Sequence, residues 1–136
     1  MIDILKKTAL FSGFNDKQLK AIIKLGKREV IEKDSYLFLE EKDAEGVYLV
    51  LGGKFIASYN KVDKEYTRGA ILSEISLVKK VKHKVNMRAF QKSQVFFLSR
   101  KKYEKMKENS PKFALTFQDA LLNSFLLKIE KLEEFF

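Results

Sequence analysis

The stretch that decides the fold is GAILSEISLVKKVKHKVNMRA, residues 69–89. It opens with a glycine, which allows the backbone to turn in ways that other residues avoid. A lone glutamate, Glu74, and a helix-sized segment follow, and then a basic run that contains the only histidine of the chain, His83. A glycine turn, the start of a short helix and a nearby cation are the parts from which proteins build phosphate-binding loops. The sequence therefore predicts an altered phosphate-binding loop here.

Short strand-like segments lie on both sides of this loop, between Arg28 and Leu98. They are rich in β-branched and aromatic residues and read REVIE, SYLFLE, GVYLVL, KFIASY, NMRAF and QVFFLS. Strands at short, regular intervals favour a roll or barrel over a parallel sheet with crossover helices. We predict an antiparallel, jelly-roll-like β-roll over residues 27–98.

Helical patterns lie at both ends of the predicted roll. Asn15 and Gln18 are spaced as a capping box, and they precede apolar residues at helical spacing. Ser99 is placed to cap a helix, and the pair Ser110–Pro111 is typical of the start of a longer one. We expect N-terminal helices over residues 1–26 and C-terminal helices over residues 99–136. The fold class is thus α+β, mainly β, in a single domain over residues 1–136.

The C-terminal helix carries an apolar stripe with two interpretations. Apolar residues recur every seven positions or on the offset row next to it, where Gln118 is the polar exception. The stripe either packs on the roll of its own chain or forms a two-fold dimer. We predict a homodimer through the stripe residues, which are Leu115, Leu122, Phe125, Ile129, Leu132 and Phe136.

The composition narrows the class of protein. The chain has 136 residues, of which 46% are hydrophobic and 33% charged, as in a globular domain rather than a disordered one. It has no cysteine, which excludes disulfides and thiolate-bound metals. No secretory signal or long apolar run is present, so we expect a cytoplasmic protein. Catalytic and metal-ligand motifs are absent, and we expect no enzyme activity, no metal and no cofactor.

Positive charge is concentrated in one segment. The net charge is +9, and residues 79–107 contain eleven basic residues but a single acid, Glu104. The segment either attracts an anionic ligand, nucleic acid or acidic partner, or is a solvated lysine-rich surface.

These features together resemble the cyclic nucleotide-binding domains of catabolite-activator-type regulators, kinase regulatory subunits and gated channels. The resemblance spans nearly the whole chain, from LFSGFNDKQLKAI through RGAILSEISLV to VFFLSRKKYEKM. It implies a β-roll that binds a cyclic nucleotide, such as cAMP or cGMP, or a cyclic dinucleotide. Those regulators read DNA through a further helix-turn-helix that this sequence lacks, so we expect no nucleic-acid binding.

The resemblance also implies a ligand site within residues 69–89. In the family, a Gly-Glu pair and an arginine nine residues later hold the phosphate and the sugar. Here Ser73 precedes Glu74, and His83 stands at the arginine position. Strand geometry points Lys82 and Lys84 away from the face that His83 occupies, unless the turn differs by one residue. The predicted ligand-binding residues are Leu72, Ser73, Glu74, Lys82, His83, Lys84 and Val85.

Three functions are compatible with this sequence. The first is a sensory module that binds a cyclic nucleotide or a related anion and repositions its C-terminal helix. The second is a degenerate module that has lost the ligand and acts through dimerisation or an unidentified protein partner. The third is a nucleic-acid binder that uses the basic segment. We favour the first.

Overall fold

The computed structural model describes residues 1–130, so the predicted stripe positions Leu132 and Phe136 lie outside the described residues. Within this range a β-roll stands between two N-terminal and two C-terminal helices. The strands are β1 Lys27–Ile31, β2 Tyr36–Phe38, β3 Asp43–Ala44, β4 Gly46–Gly52, β5 Lys54–Tyr59, β6 Val62–Thr67, β7 Ile71–Leu72, β8 Val81–Lys82, β9 Asn86–Ala89 and β10 Ser93–Ser99.

The roll consists of two four-stranded sheets and one short strand pair. The first sheet has the order β1-β10-β4-β7, and the second has the order β2-β9-β5-β6. Strands β3 and β8 form the short pair, and the strands of every pair run antiparallel. The antiparallel roll flanked by helices that the sequence predicts is therefore confirmed.

Strand β10 separates the two halves of the core. Its side chains alternate between the faces of the sheet, as the pleat requires. Val95 packs inside the roll with Val50 and Phe55, whereas Phe96 and Leu98 face the cluster that contains the helices. The first sheet is therefore buried on both faces, which explains the nearly continuous apolar run in this strand.

The N-terminal helices are α1 Ile2–Lys6 and α2 Asp16–Leu25. The predicted capping box is present: the Gln18 amide donates to the Asn15 side chain over 2.8 Å, and the Asn15 amide donates to the Gln18 side chain over 2.9 Å. The two bonds satisfy backbone donors that the first turn leaves without helical partners. Leu19 and Ile22 are fully buried and attach α2 to the core.

The C-terminal helices are α3 Arg100–Asn109 and α4 Pro111–Glu130. The Ser99 hydroxyl accepts a hydrogen bond from the Lys102 amide, as predicted for an N-cap. Phe117 of α4 is fully buried, with its ring centroid 5.8 Å from that of Phe11 and 5.7 Å from that of Phe14. One face of α4 is thus part of the core, which brings the second half of the helix to residues 69–89.

Candidate functional site

The predicted loop surrounds one cavity of about 150 Å³. Ser73, a short 3-10 helix over Glu74–Leu77 and strand β8 supply one wall. The second half of α4 supplies another wall through Phe125, Lys128 and Ile129. The cavity therefore lies between the loop and the C-terminal helix, so a change in either element alters its shape.

Six of the seven predicted ligand-binding residues line this cavity, namely Ser73, Glu74, Lys82, His83, Lys84 and Val85. Leu72 does not line it. Its side chain is fully buried in the roll interior with Val50 and Phe55, because β7 is a strand of the first sheet and turns this side chain inward.

The Glu74 carboxylate is held by α4. It is only 2% exposed, and its Oε1 lies 2.5 Å from the Nζ of Lys128. The Ser124 hydroxyl donates to Oε2 over 2.8 Å, and Lys128 also donates to the Ile71 carbonyl over 2.7 Å. A buried carboxylate is tolerated only when it is paired and hydrogen-bonded. Both oxygens of Glu74 therefore depend on α4 staying docked.

His83 lies deep in the cavity and is neutral near pH 7. Its ring stacks on Phe38, with the centroids 3.8 Å apart and the planes at 6°. Burial lowers the pKa of His83 to about 4, because the charged imidazolium would lose its hydration. The Ser73 hydroxyl and the His83 Nδ1 share a hydrogen bond of 3.1 Å. The position that the sequence resemblance assigns to an arginine is thus occupied by an uncharged aromatic ring.

Two lysines flank His83 but point outward. Lys82 and Lys84 are exposed, whereas His83 and Val85 are buried, which is the alternation expected from strand geometry. The Nζ of Lys82 lies 3.9 Å from an Asp43 oxygen. The lysines therefore place positive charge at the rim of the cavity rather than at its floor.

Ser73 adopts a backbone conformation that usually belongs to glycine. Its φ is 62°, in the left-handed region, where a side chain costs energy that glycine avoids. This chain therefore forms with a serine a turn that a glycine would form at lower energetic cost. The serine hydroxyl is used in the bond to His83.

Sequence reasoning missed four residues that shape the site, which are Phe38, Arg100, Ser124 and Lys128. Arg100 donates over 3.0 Å to the carbonyls of both Ala44 and Ser76, and so ties α3 to the loop. A signal for Ser124 and Lys128 did exist, because they continue at helical spacing the buried face that Phe117 and Leu121 begin. Nothing in the sequence pattern singles out Phe38 or Arg100.

The basic segment is divided among several elements. Its basic residues lie in β8, β9, α3 and the loops next to these strands, and some are engaged in pairs. The Nη1 of Arg88 lies 2.8 Å from an Asp34 oxygen, and the Nζ of Lys92 lies 3.9 Å from a Glu32 oxygen. Within residues 1–130, no helix combines the length and apolar character that a membrane crossing requires.

Comparisons with known proteins agree with this geometry. Residues 28–110 match the family model for the cyclic nucleotide-binding domain. A cyclic nucleotide-binding domain from Methylobacillus flagellatus superposes with a TM-score of 0.80 at 20% identity, over 95% of this chain and 76% of the other. The N-terminal domain of a transcriptional regulator from Streptomyces coelicolor gives 0.77 at 18% identity, over 95% and 92% of the two chains.

A regulatory domain of Toxoplasma gondii PKA, crystallised with cAMP, gives a TM-score of 0.66 at 21% identity, over 81% of this chain and 44% of the other. At these identities the superpositions establish the fold alone. No curated protein sequence matches the chain. Since the family model covers more than half of the sequence, the match identifies the family. The chain belongs to the cyclic nucleotide-binding domain family.

Proposed function

We propose that this chain is a regulatory module that senses a cyclic nucleotide, or a related phosphorylated molecule, and transmits binding to α4. Family membership supports the class of ligand. The position of Glu74 at the wall of the cavity supports the place where the sugar would bind. Its carboxylate is the acceptor that the family uses for a ribose hydroxyl.

The observation that carries the proposal is the double contact of Glu74 with Lys128 and Ser124. Glu74 is only 2% exposed, so a ribose hydroxyl reaches its carboxylate only by displacing Ser124 or Lys128 of α4. Ligand binding at Glu74 therefore opposes the docking of α4. The coupling is reciprocal: the factor by which a ligand weakens the docking of α4 equals the factor by which the docking of α4 weakens ligand binding.

The residues near position 83 predict a low affinity for phosphate. His83 is a neutral ring, and the ammonium of Lys128 is already paired with Glu74. Hydrogen bonds to a charged partner contribute roughly 1.5–3 kcal/mol, which is about ten- to a hundredfold in affinity. We therefore expect affinities lower by about this factor than an arginine at position 83 would give.

Calorimetry with cAMP, cGMP and a cyclic dinucleotide tests the proposal. We expect measurable binding of one of them to the wild type, and binding about ten- to a hundredfold tighter to His83→Arg. A thermal unfolding curve establishes that the variant is folded. If neither folded protein binds any of the three ligands, the proposal is contradicted and the degenerate module remains as the function.

The exposed face of α4 supports a second function, a dimerisation or partner-binding module. Three residues of the predicted dimer stripe are exposed, with Leu115 at 63%, Leu122 at 56% and Ile129 at 43%. Phe125 departs from the stripe because it is half-buried and faces the cavity. An apolar row of this kind is typical of a helix that pairs with a second helix.

A further inference from the structure

The cavity has properties that do not match a nucleotide. A cavity of about 150 Å³ is comparable to an engineered cavity of about 150 Å³ that stays dry and admits benzene. Pockets for larger organic ligands measure about 300–1,000 Å³. A nucleotide, with a base, a sugar and a phosphate, is therefore too large for this cavity to enclose while α4 is docked. A single aromatic ring fits while α4 is docked.

The walls of the cavity are mainly apolar and uncharged. Phe38, Val85 and Phe125 contribute apolar surface, and His83 stacks flat on Phe38. The charges of Glu74 and Lys128 cancel in their ion pair. Aromatic rings prefer other rings at offset-stacked or edge-to-face geometry, so this lining favours an aromatic molecule over a saturated one of equal size.

We propose that the cavity between residues 69–89 and α4 is a binding site for a small, uncharged molecule with one aromatic ring. The hydrogen bond between Ser73 and His83 offers a polar partner to one hydroxyl of such a molecule. An anion inside the cavity would be buried without a paired cation, because Lys82 and Lys84 point to solvent and Lys128 is paired with Glu74. The proposed nucleotide site uses residues of the same cavity, so the two sites differ in ligand class and not in place.

The site exists only while α4 is docked, since Phe125 and Ile129 form one of its walls. An aromatic ligand therefore stabilises the docked helix, whereas a ligand at Glu74 displaces it. The two ligands oppose each other by linkage, and each lowers the affinity of the other by the same factor. This antagonism rests on the proposed function, but binding of the aromatic ring does not.

Titration of the wild-type chain with phenol at pH 7, followed by amide NMR, tests the site. We expect saturable shifts at Ser73, His83 and Phe125. Val81→Phe fills the cavity from a strand position and weakens phenol binding about tenfold or more, because no room for a second ring remains. Val78→Phe is the matched control, since Val78 is 41% exposed and lies outside the cavity. It leaves the affinity unchanged.

Two further probes test the ligand class. Cyclohexanol is similar in size to phenol but has a saturated ring, and we expect it to bind about two- to tenfold more weakly than phenol. Benzoate adds a negative charge, and we expect its affinity to be at least about tenfold lower than that of phenol. Equal affinity of phenol, cyclohexanol and benzoate overturns the assignment, and so does unaltered phenol binding by Val81→Phe.

Phe125→Ala keeps the test decisive if Val81→Phe does not fold. It removes one wall from the α4 side, and we expect it to weaken phenol binding while thermal unfolding shows a folded protein. Unaltered phenol binding by this variant overturns the site. If phenol binds but does not change the affinity for cAMP, the aromatic site is supported and the antagonism is contradicted. Failure of the aromatic site is thus distinguishable from failure of the antagonism.

Discussion

Glu74 and His83 line the same cavity and are stabilised by opposite means. Glu74 is buried as an ion, and its neighbours on α4 supply the compensating charge and hydrogen bond. His83 is buried against Phe38 as a neutral ring, and burial lowers its pKa to about 4. The cavity therefore has a paired carboxylate at Glu74 and an uncharged ring at His83.

The lowered pKa of His83 predicts a pH dependence of stability. The unfolded chain takes up a proton near pH 6.5 and the folded chain only near pH 4, so the free energy of unfolding decreases as the pH falls between these values. From pH 7.5 to pH 5 we expect His83 to account for a loss of about 2 kcal/mol.

Urea unfolding of the wild type and of His83→Gln measures this loss, because glutamine does not titrate and the carboxylates are common to both proteins. We expect the difference in stability between the two proteins to change by about 2 kcal/mol over this pH range. Parallel pH profiles would contradict the assignment of His83 as buried and neutral.

The sequence is sufficient to predict that Glu74 and His83 line one loop, because that loop is a continuous stretch of the chain. It cannot identify their partners. Lys128 is far along the chain from Glu74, and Phe38 is far from His83, so each contact depends on how the elements pack. Only the helical period of α4 indicates that Ser124 belongs to the buried face. The heptad stripe lies on the other face of the helix and gives the stronger sequence pattern.

At the scale of elements, the apolar strands are predictable and the two-residue strands are not. Strands β4, β5 and β10 follow from their β-branched and aromatic residues. Strands β3, β7 and β8 have two residues each, too few for any alternation to be visible. Strand β6 is polar because it pairs only with β5, at an edge of the second sheet.

The hairpin between β5 and β6 provides a test of local backbone energetics. Its two-residue loop consists of Asn60, with a φ of 48°, and Lys61, with a φ of 65°. Such a turn favours Asn-Gly, because glycine adopts a positive φ without steric cost. We expect Lys61→Gly to raise the free energy of unfolding by about 0.5–1 kcal/mol.

Lys61→Ala is the matched control for this hairpin. It removes the same lysine side chain but retains the strained conformation, so we expect no increase in stability. Urea unfolding measures both variants. If alanine stabilises the protein as much as glycine does, the lost side chain rather than the backbone is the cause.

At the scale of the whole molecule, the exposed face of α4 predicts self-association. Leu115 and Leu122 are exposed in the single chain, so replacing them does not disturb the core. We expect Leu122→Glu to weaken the dimer about tenfold or more, because a charge would be buried without a partner. Stability of the single chain should change by less than about 0.5 kcal/mol.

Sedimentation velocity of the wild type and of Leu122→Glu measures the association. Thr116→Glu is a control on the same helix, at an exposed polar position outside the stripe. We expect it to leave the dimer intact. A wild type that sediments as a monomer across the accessible concentrations would contradict the prediction and favour a different protein as the partner of this face.

The central claim is that Glu74 couples the ligand site to α4. Hydrogen exchange of the amides of α4, compared between the wild type and Glu74→Gln, tests it most directly. The amide keeps the size of the carboxylate but breaks the ion pair, and breaking a buried pair costs about 3–5 kcal/mol. Asp119→Asn is the matched control, since it also replaces a carboxylate by an amide, but at an exposed position of α4. We predict exchange at least about tenfold faster over residues 121–130 in Glu74→Gln and unchanged exchange in the control; equal exchange rates in all three proteins would contradict the claim.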